Sequence, residues 1–429
     1  MKTVIRNVLA LLSQNGKLTT KICSIRIKDD LIDFIGDIPK DEKCDIEIDG
    51  KNRLAIPGLI NAHTHSYMTL FRNSADDVPF NEWLFNRILP MEDKLIAGDS
   101  YWSTLLGICE MIRSGTTSFL DMYIFPYETA RAVSDSGIRA VISRGLVGET
   151  ADDEGGLRRI GEAKTDFMNY KDCADGRITF RLAPHAPYTC SPAYLSTVIE
   201  TAKEMGVGIH THLSESISEV ENIRKQYGMT PIALMEKTGL FTLETAAAHC
   251  VHLDEEDFSI LKENGVSVLT NPASNMKLGN GFAPVPRFLK EGINVALGTD
   301  SAASNNSLNL FREINNLSLI HKGANGDAVS VSAEESFNAA TTGGARALGI
   351  NAGEISVGKK ADIVLLDMTC PQMNPPTDVV SSLAYSANGS EVRTVIINGK
   401  IIFDGGEIKT VDEERIIFET NKIFDRINS

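Results

Sequence analysis

A chain of 429 residues with 42% hydrophobic and 23% charged side chains can bury one or two sizeable cores and has the make-up of a soluble globular enzyme. Its 57 acidic against 42 basic residues leave a formal charge of −15, which argues against nucleic-acid backbones and anionic membranes as main partners. No apolar run reaches the roughly 18 residues of a membrane span, the N-terminus lacks the order of a signal peptide, and the seven cysteines are scattered without a Cys-x-x-Cys pair; the chain reads as cytoplasmic, with free thiols.

Up to residue 57 the chain carries short strand-like runs, such as 21–27 and 45–48, with turn residues between them. The pattern then changes. Apolar runs at 54–62, 116–121, 138–144, 178–184, 207–212, 245–249, 266–270 and 294–300 alternate with helical periodicity, for example over 191–205 and 216–228. Eight strand-then-helix units predict an α/β chain built on a (β/α)8 TIM barrel. A doubly wound sheet is the rival, but no Gly-x-Gly-x-x-Gly follows the first strand. The tail returns to strands at 362–367 and 392–403, the latter with an Asn398-Gly399 hairpin turn. Two β-rich ends predict a small β-sandwich domain assembled from 1–57 and 350–429, beside a barrel of 58–349.

Many of these runs end in, or run into, a polar side chain of chemical use: His63 and His65, Asp121, Arg144, His185, His212, His249 and Asp300. Barrel active sites lie at the carboxyl ends of strands, so the coincidence weighs more than any one histidine. His63 and His65 are two apart, which on extended chain turns both rings to one side. His-x-His alone is a weak sign of metal; here an apolar strand leads directly into it. His212 and Asp300 close two further strands, giving three nitrogens and a carboxylate for one ion with a water beside them. Taken singly, His212 is as readily a buried hydrogen-bonded histidine and Asp300 a helix cap. His210 shares a face with His212 and competes with it as ligand; His212 is nearer the strand end. Glu215, three residues on, is placed to shuttle protons, and His249 to hydrogen-bond the water or a developing alkoxide. His252 and His321 read as structural.

These residues sit in motifs that resemble the amidohydrolase superfamily over nearly the whole chain: PGLINAHTHSYMTLFR (57–72), APHAPYTCS (183–191), HTHLSES (210–216), AAHCVHL (247–253), NPASNMKLGNGFAPV (271–285), LGTDSAASNN (297–306) and GKKADIVLLD (358–367). Within it, DDVPFNEWLFNRILPMED (76–93) is similar to the acidic, Trp-containing loop of the 5-methylthioadenosine/S-adenosylhomocysteine deaminases. The resemblance implies a barrel beside a β-sandwich, and His63, His65, His212 and Asp300 as metal ligands. It implies that Glu92 binds ribose hydroxyls, His185 the adenine or sugar, Arg144 the substrate tail, and Glu215 and Asp300 the reacting base. One departure stands out: residues 147–156 are acidic and offer no second arginine for a carboxylate tail, a place only Arg158 or Arg159 would fill. Two-metal members carry a lysine at the end of strand 4; here that strand ends Arg181-Leu182-Ala183-Pro184-His185, so one divalent ion is expected. Zinc is the default for such ligands, with iron and manganese as alternatives.

The expected reaction is hydrolytic deamination at C6 of an adenine nucleoside by a metal-activated water, giving the inosine analogue and ammonia. 5′-Methylthioadenosine, S-adenosylhomocysteine or a related 5′-substituted adenosine is the expected substrate. The rival is an aminohydrolase or chlorohydrolase acting on guanine or a triazine, for which a ribose-binding Glu92 has no purpose. A non-catalytic barrel scaffold would lack a ligand, and all four are present. A small nucleoside is the expected partner, with a homo-oligomer left open. His-x-Glu with Pro-Cys-x-x-Cys, the pattern of nucleic-acid-editing deaminases, is absent.

Overall fold

The computed structural model describes residues 1–14, 17–80 and 82–429; Asn81 of the 76–93 segment lies outside them. Eight parallel strands run in chain order around one sheet: β1 (Leu59–Thr64), β2 (Thr116–Tyr123), β3 (Arg139–Leu146), β4 (Ile178–Pro184), β5 (Ile209–Leu213), β6 (Thr245–His249), β7 (Ser267–Thr270) and β8 (Val295–Leu297). Nearly every residue in them is buried, as parallel strands covered by helices require. Ile60, Ala62, Leu120, Val141, Ala246, Ala248, Leu269 and Ala296 pack together as the floor under the strand ends.

Where β8 returns to β1, the Asp300 N–H donates to the His63 carbonyl (2.9 Å), and the Thr299 N–H to Asn61 Oδ1 (3.0 Å). Gly298 allows this approach. A Cβ there would lie 2.4 Å from Asn271 Oδ1 and 2.9 Å from the His63 backbone nitrogen. Barrel closure thus holds the first and last strand ends against each other.

The expected first run, 54–62, divides at Gly58. Arg53–Pro57 pairs with Lys2–Gln14 and antiparallel to Ile363–Asp367, in the sheet formed by the two chain ends, and only β1 enters the barrel. That second sheet is mixed and nine-stranded, with Ile5, Ile25, Ala55, Ile363, Leu365 and Ile396 in its core. Its Val392–Ile397 and Lys400–Asp404 hairpin turns on Asn398 (φ 53°) and Gly399 (φ 76°), both left-handed.

Helices 192–205 and 217–227 start and stop on the residues that cap them. Ser191 Oγ accepts from Tyr194 N, and Ser216 Oγ from Glu219 N; Gly206 and Gly228 end them in the left-handed region. The chain closes on a helix the strand-rich tail did not announce, Glu413–Asn428. It packs on the barrel helix Ala97–Arg113, with Glu413 ion-paired to Arg113 (2.6 Å) and Arg426 to Asp99. Among the described residues no helix is long and apolar enough to cross a membrane, and all seven cysteines are free.

Candidate active site

At the carboxyl end of the barrel, β1, β5, β6 and β8 bring His63, His65, His212, His249 and Asp300 together. Nε2 of His65 lies 3.3 Å from Nε2 of His212. Asp300 Oδ1 stands 3.6 Å from His63 Nε2 and 3.5 Å from His65 Nε2. His63, His65 and His212 offer ligand atoms within 4.8 Å of one another, as do His63, His249 and Asp300.

Hydrogen bonds decide which nitrogen each ring presents. His65 Nδ1 lies 2.8 Å from the Met122 carbonyl and His212 Nδ1 2.8 Å from the His185 carbonyl. A carbonyl only accepts, so both Nδ1 atoms carry the proton and both Nε2 atoms present a lone pair to the cluster. His63 Nδ1 is bonded to His210 Nε2 (2.8 Å), and its buried Nε2 has no partner among the described residues. His210 lies one step deeper on β5 with Nε2 engaged, so His212 is the one that faces the cluster. Three converging imine nitrogens, one of them otherwise an orphaned buried polar atom, beside a carboxylate suit one borderline divalent cation.

Asp300 is held from several sides. Its Oδ2 accepts from Ser274 Oγ (2.6 Å) and Ser304 Oγ (2.9 Å), and its Oδ1 from Ser301 N (2.7 Å). Burial alone would raise its pKa, but the surrounding imidazoles of His63, His249 and His65 hold it below the ordinary carboxylate range. Burial, partly opposed by Asp300, pushes His63 down to about 4.

Glu215 follows β5 on a turn shaped by Glu219, whose carboxylate accepts from Ser214 N and Glu215 N (both 2.8 Å). Asn280 Nδ2 donates to Glu215 Oε1 (3.0 Å), and His249 Nε2 stands 3.8 Å from Oε2. Burial raises the Glu215 pKa against the pull of His249. His249 sits in the left-handed region (φ 74°) with Nδ1 on Asn275 Oδ1 (2.8 Å). Burial opposes a charge on His249, but Glu215 and Asp300 outweigh it and its pKa is raised.

The cluster lines a cavity that Glu92, His185 and Trp83 also line. Glu92 ends a helical stretch, Leu89–Glu92, and its carboxylate accepts from the Tyr67 hydroxyl. Burial raises its pKa against that bond. His185 lies beside His212, ring centroids 4.8 Å apart, with Nδ1 on Thr189 Oγ1 (3.1 Å). Trp83 packs parallel to Phe80 in the wall. Arg144 is placed elsewhere: Gly145 lines this cavity, whereas Arg144 lines a neighbouring one with Arg158 and Arg159. Its guanidinium bonds Glu162 Oε2 (3.0 and 3.2 Å) and the Gly145 carbonyl (3.0 Å). Alternation along β3 accounts for this, since Ser143 points into the barrel and Arg144 towards its helices. Among the described residues the active-site cavity is lined by no lysine or arginine.

Sequence reasoning missed the residues that hold the site: Glu219, Ser274, Asn275, Asn280, Ser304 and Tyr67. Ser274, Asn275 and Asn280 share the segment 271–285, whose density of Asn and Ser after a buried strand was the one available signal.

A (β/α)8 barrel that gathers three histidines, an aspartate and a buried glutamate at its strand ends defines a metal-dependent hydrolase. Residues 54–402 match the model of the amidohydrolase family. The chain is 48% identical over 424 residues, 98% of each chain, to a 5-methylthioadenosine/S-adenosylhomocysteine deaminase of Caldanaerobacter subterraneus subsp. tengcongensis. It is 46% identical to a 5′-deoxyadenosine deaminase of Methanocaldococcus jannaschii, over 98% of this chain and 100% of that one. An adenosine deaminase structure from Xanthomonas campestris, with bound zinc, superposes with a TM-score of 0.94 at 31% identity, covering 99% of this chain and 98% of that one. The chain belongs to the amidohydrolase family.

Proposed function

We propose that this is a cytoplasmic enzyme that deaminates an adenine nucleoside at C6, with 5′-methylthioadenosine, S-adenosylhomocysteine or a related 5′-substituted adenosine as substrate. The observation that carries the reading is the meeting of four ligand side chains with Glu215 and His249 at the floor of one cavity. The names of the relatives supply the substrate class. Residues 58–349 form the catalytic unit in this reading, and 1–57 with 350–429 its composite β companion.

His63, His65, His212 and Asp300 would hold one divalent ion, zinc before iron or manganese. When bound, the ion supplies a nucleophilic water at neutral pH. Asp300, held ionised by the imidazoles around it, takes the proton the attacking water gives up. Glu215, whose pKa burial raises, donates its proton to purine N1 and so makes C6 electrophilic. His249 has spent Nδ1 on Asn275, which leaves Nε2 to face the oxygen adding to C6. The proton held by Asp300 passes to the C6 amino group, the C6–N bond breaks to release ammonia, the C6 hydroxyl proton returns to Glu215, and the inosine analogue remains. Glu92 holds the ribose hydroxyls and His185 the adenine or sugar. Arg144 serves the nucleoside only if a charged 5′ tail draws it away from Glu162, with Arg158 or Arg159 beside it.

The test is ammonia release from 5′-methylthioadenosine, S-adenosylhomocysteine, 5′-deoxyadenosine and adenosine, with guanine as control. At least one nucleoside should exceed guanine by roughly tenfold or more in kcat/KM, about 1.4 kcal/mol. Preference for guanine, or no ammonia from any nucleoside, overturns the reading.

A further inference from the structure

Behind His63 runs a buried chain of hydrogen bonds that the chemistry above does not use. His63 Nδ1 lies 2.8 Å from His210 Nε2, and His210 Nδ1 lies 3.1 Å from Ser143 Oγ. Ser143 Oγ lies 2.5 Å from the carbonyl oxygen of Asp121. His63, His210 and Ser143 are all 0% exposed, so no solvent proton competes for these contacts.

The last link sets the direction of every proton. A carbonyl has none to give, so the single hydroxyl proton of Ser143 goes to Asp121. Ser143 Oγ is then the acceptor for His210, whose proton sits on Nδ1. Among the described residues no carboxylate bonds His210, and a buried imidazolium without one is strongly disfavoured, so the ring is neutral and Nε2 is a lone pair. His63 Nδ1 must donate to it. That leaves the His63 lone pair on Nε2, the atom aimed at Asp300 from 3.6 Å.

We infer that Ser143 and His210 are positioning residues that fix the tautomer of His63 and so prearrange it to bind the ion. The inference rests on the reading of His63 as a ligand. His65 and His212 are fixed by backbone carbonyls, which no substitution removes. His63 alone of the three is fixed through side chains, and is therefore the ligand whose readiness a point mutation can alter without touching it.

Zinc affinity of the metal-free protein, measured at fixed pH by competition with a chromogenic chelator, tests this without turnover. Ser143→Ala should weaken zinc about tenfold and His210→Leu towards about a hundredfold. His210→Gln, whose amide oxygen can accept from His63 Nδ1, should recover most of that loss. Side-chain nitrogen spectra of histidine-labelled, metal-free wild type should show His63 protonated on Nδ1, a readout that survives if His210→Leu fails to fold. Wild-type affinity in both Ser143→Ala and His210→Leu, with binding abolished by His63→Ala, overturns the tautomer role and leaves the metal reading standing. A His63 proton on Nε2 in wild type does the same. Zinc retained by His63→Ala removes the metal reading and this inference with it.

Discussion

Two sets of side chains that line the cavity are held in different ways. On the metal side, His63, His65, His212 and Asp300 stand at the ends of β1, β5 and β8, and each has its remaining polar atom tied to a backbone carbonyl, a buried hydroxyl or a neighbouring ring. On the side proposed to hold the nucleoside, Glu92 ends a short helical stretch outside the barrel strands and rests on the phenol of Tyr67, while His185 leans on Thr189. In the proposed reading, then, the ligand side chains are oriented by the barrel itself, whereas the side chains assigned to the nucleoside rest on the segments beyond its strands.

The sharpest break in this comparison lies at Glu215, which stands beside His249 and lines the same cavity as Glu92 and His185. Glu215→Gln keeps the shape and the Asn280 contact but has no proton of the right acidity, so kcat should fall roughly 10²–10⁴-fold. Elemental analysis should find the metal content unchanged; loss of the metal with the activity would move Glu215 to the metal side. Because the group works protonated and burial raises its pKa, wild-type turnover should decline as pH rises through that raised value.

Tyr67→Phe affects the nucleoside side alone. Glu92 loses its one hydroxyl partner, a charged hydrogen bond of about 1.5–3 kcal/mol, and kcat/KM should drop roughly 10–100-fold, mainly through KM. A fall in kcat at unchanged KM would place Tyr67 in the chemistry instead.

How much of this was legible in the sequence follows the same division. Strand ends announce themselves, because packing alone gives a fully buried apolar run no reason to stop at His or Asp; His63, His65, His212, His249 and Asp300 were all readable that way. The hairpin at Asn398-Gly399 and the caps at Ser191 and Ser216 were readable because local backbone geometry demands those residue types. At Gly58 two strands of different sheets join without a change in hydrophobicity, so 54–62 read as one strand even though the division into 1–57 and 58–349 falls inside it. The last helix carried a signal that the strand reading passed over: Ile416, Thr420, Ile423 and Ile427 form its buried stripe behind Asp412 as cap. Arg144 was read from its strand position and not from its face, so its pairing with Glu162 was not foreseen. Glu219, Asn280, Ser304 and Tyr67 depend on how loops return to the barrel mouth, and no spacing in the chain encodes that path.

Two smaller effects sharpen the picture. Burial raises the Glu313 carboxyl to about 7 from an ordinary 4.5, against bonds from Ala273 N and Asn305. Its contribution to stability is whole below about pH 4.5 and is lost as pH rises through about 7. The melting temperature of wild type should therefore fall across that window, and Glu313→Gln should flatten the fall. The smallest effect is expected at Arg144, outside the cavity. Arg144→Ala should change kcat/KM for 5′-deoxyadenosine by less than about tenfold, under 1.4 kcal/mol. A larger loss confined to S-adenosylhomocysteine would show that its carboxylate draws the guanidinium off Glu162.

Anomalous diffraction at the zinc edge from crystals of the zinc-loaded protein tests the central claim most directly. The account predicts one peak per chain, within bonding distance of Nε2 of His63, His65 and His212 and of a carboxylate oxygen of Asp300. Two peaks, or one peak ligated by His210 in place of His212, would contradict it.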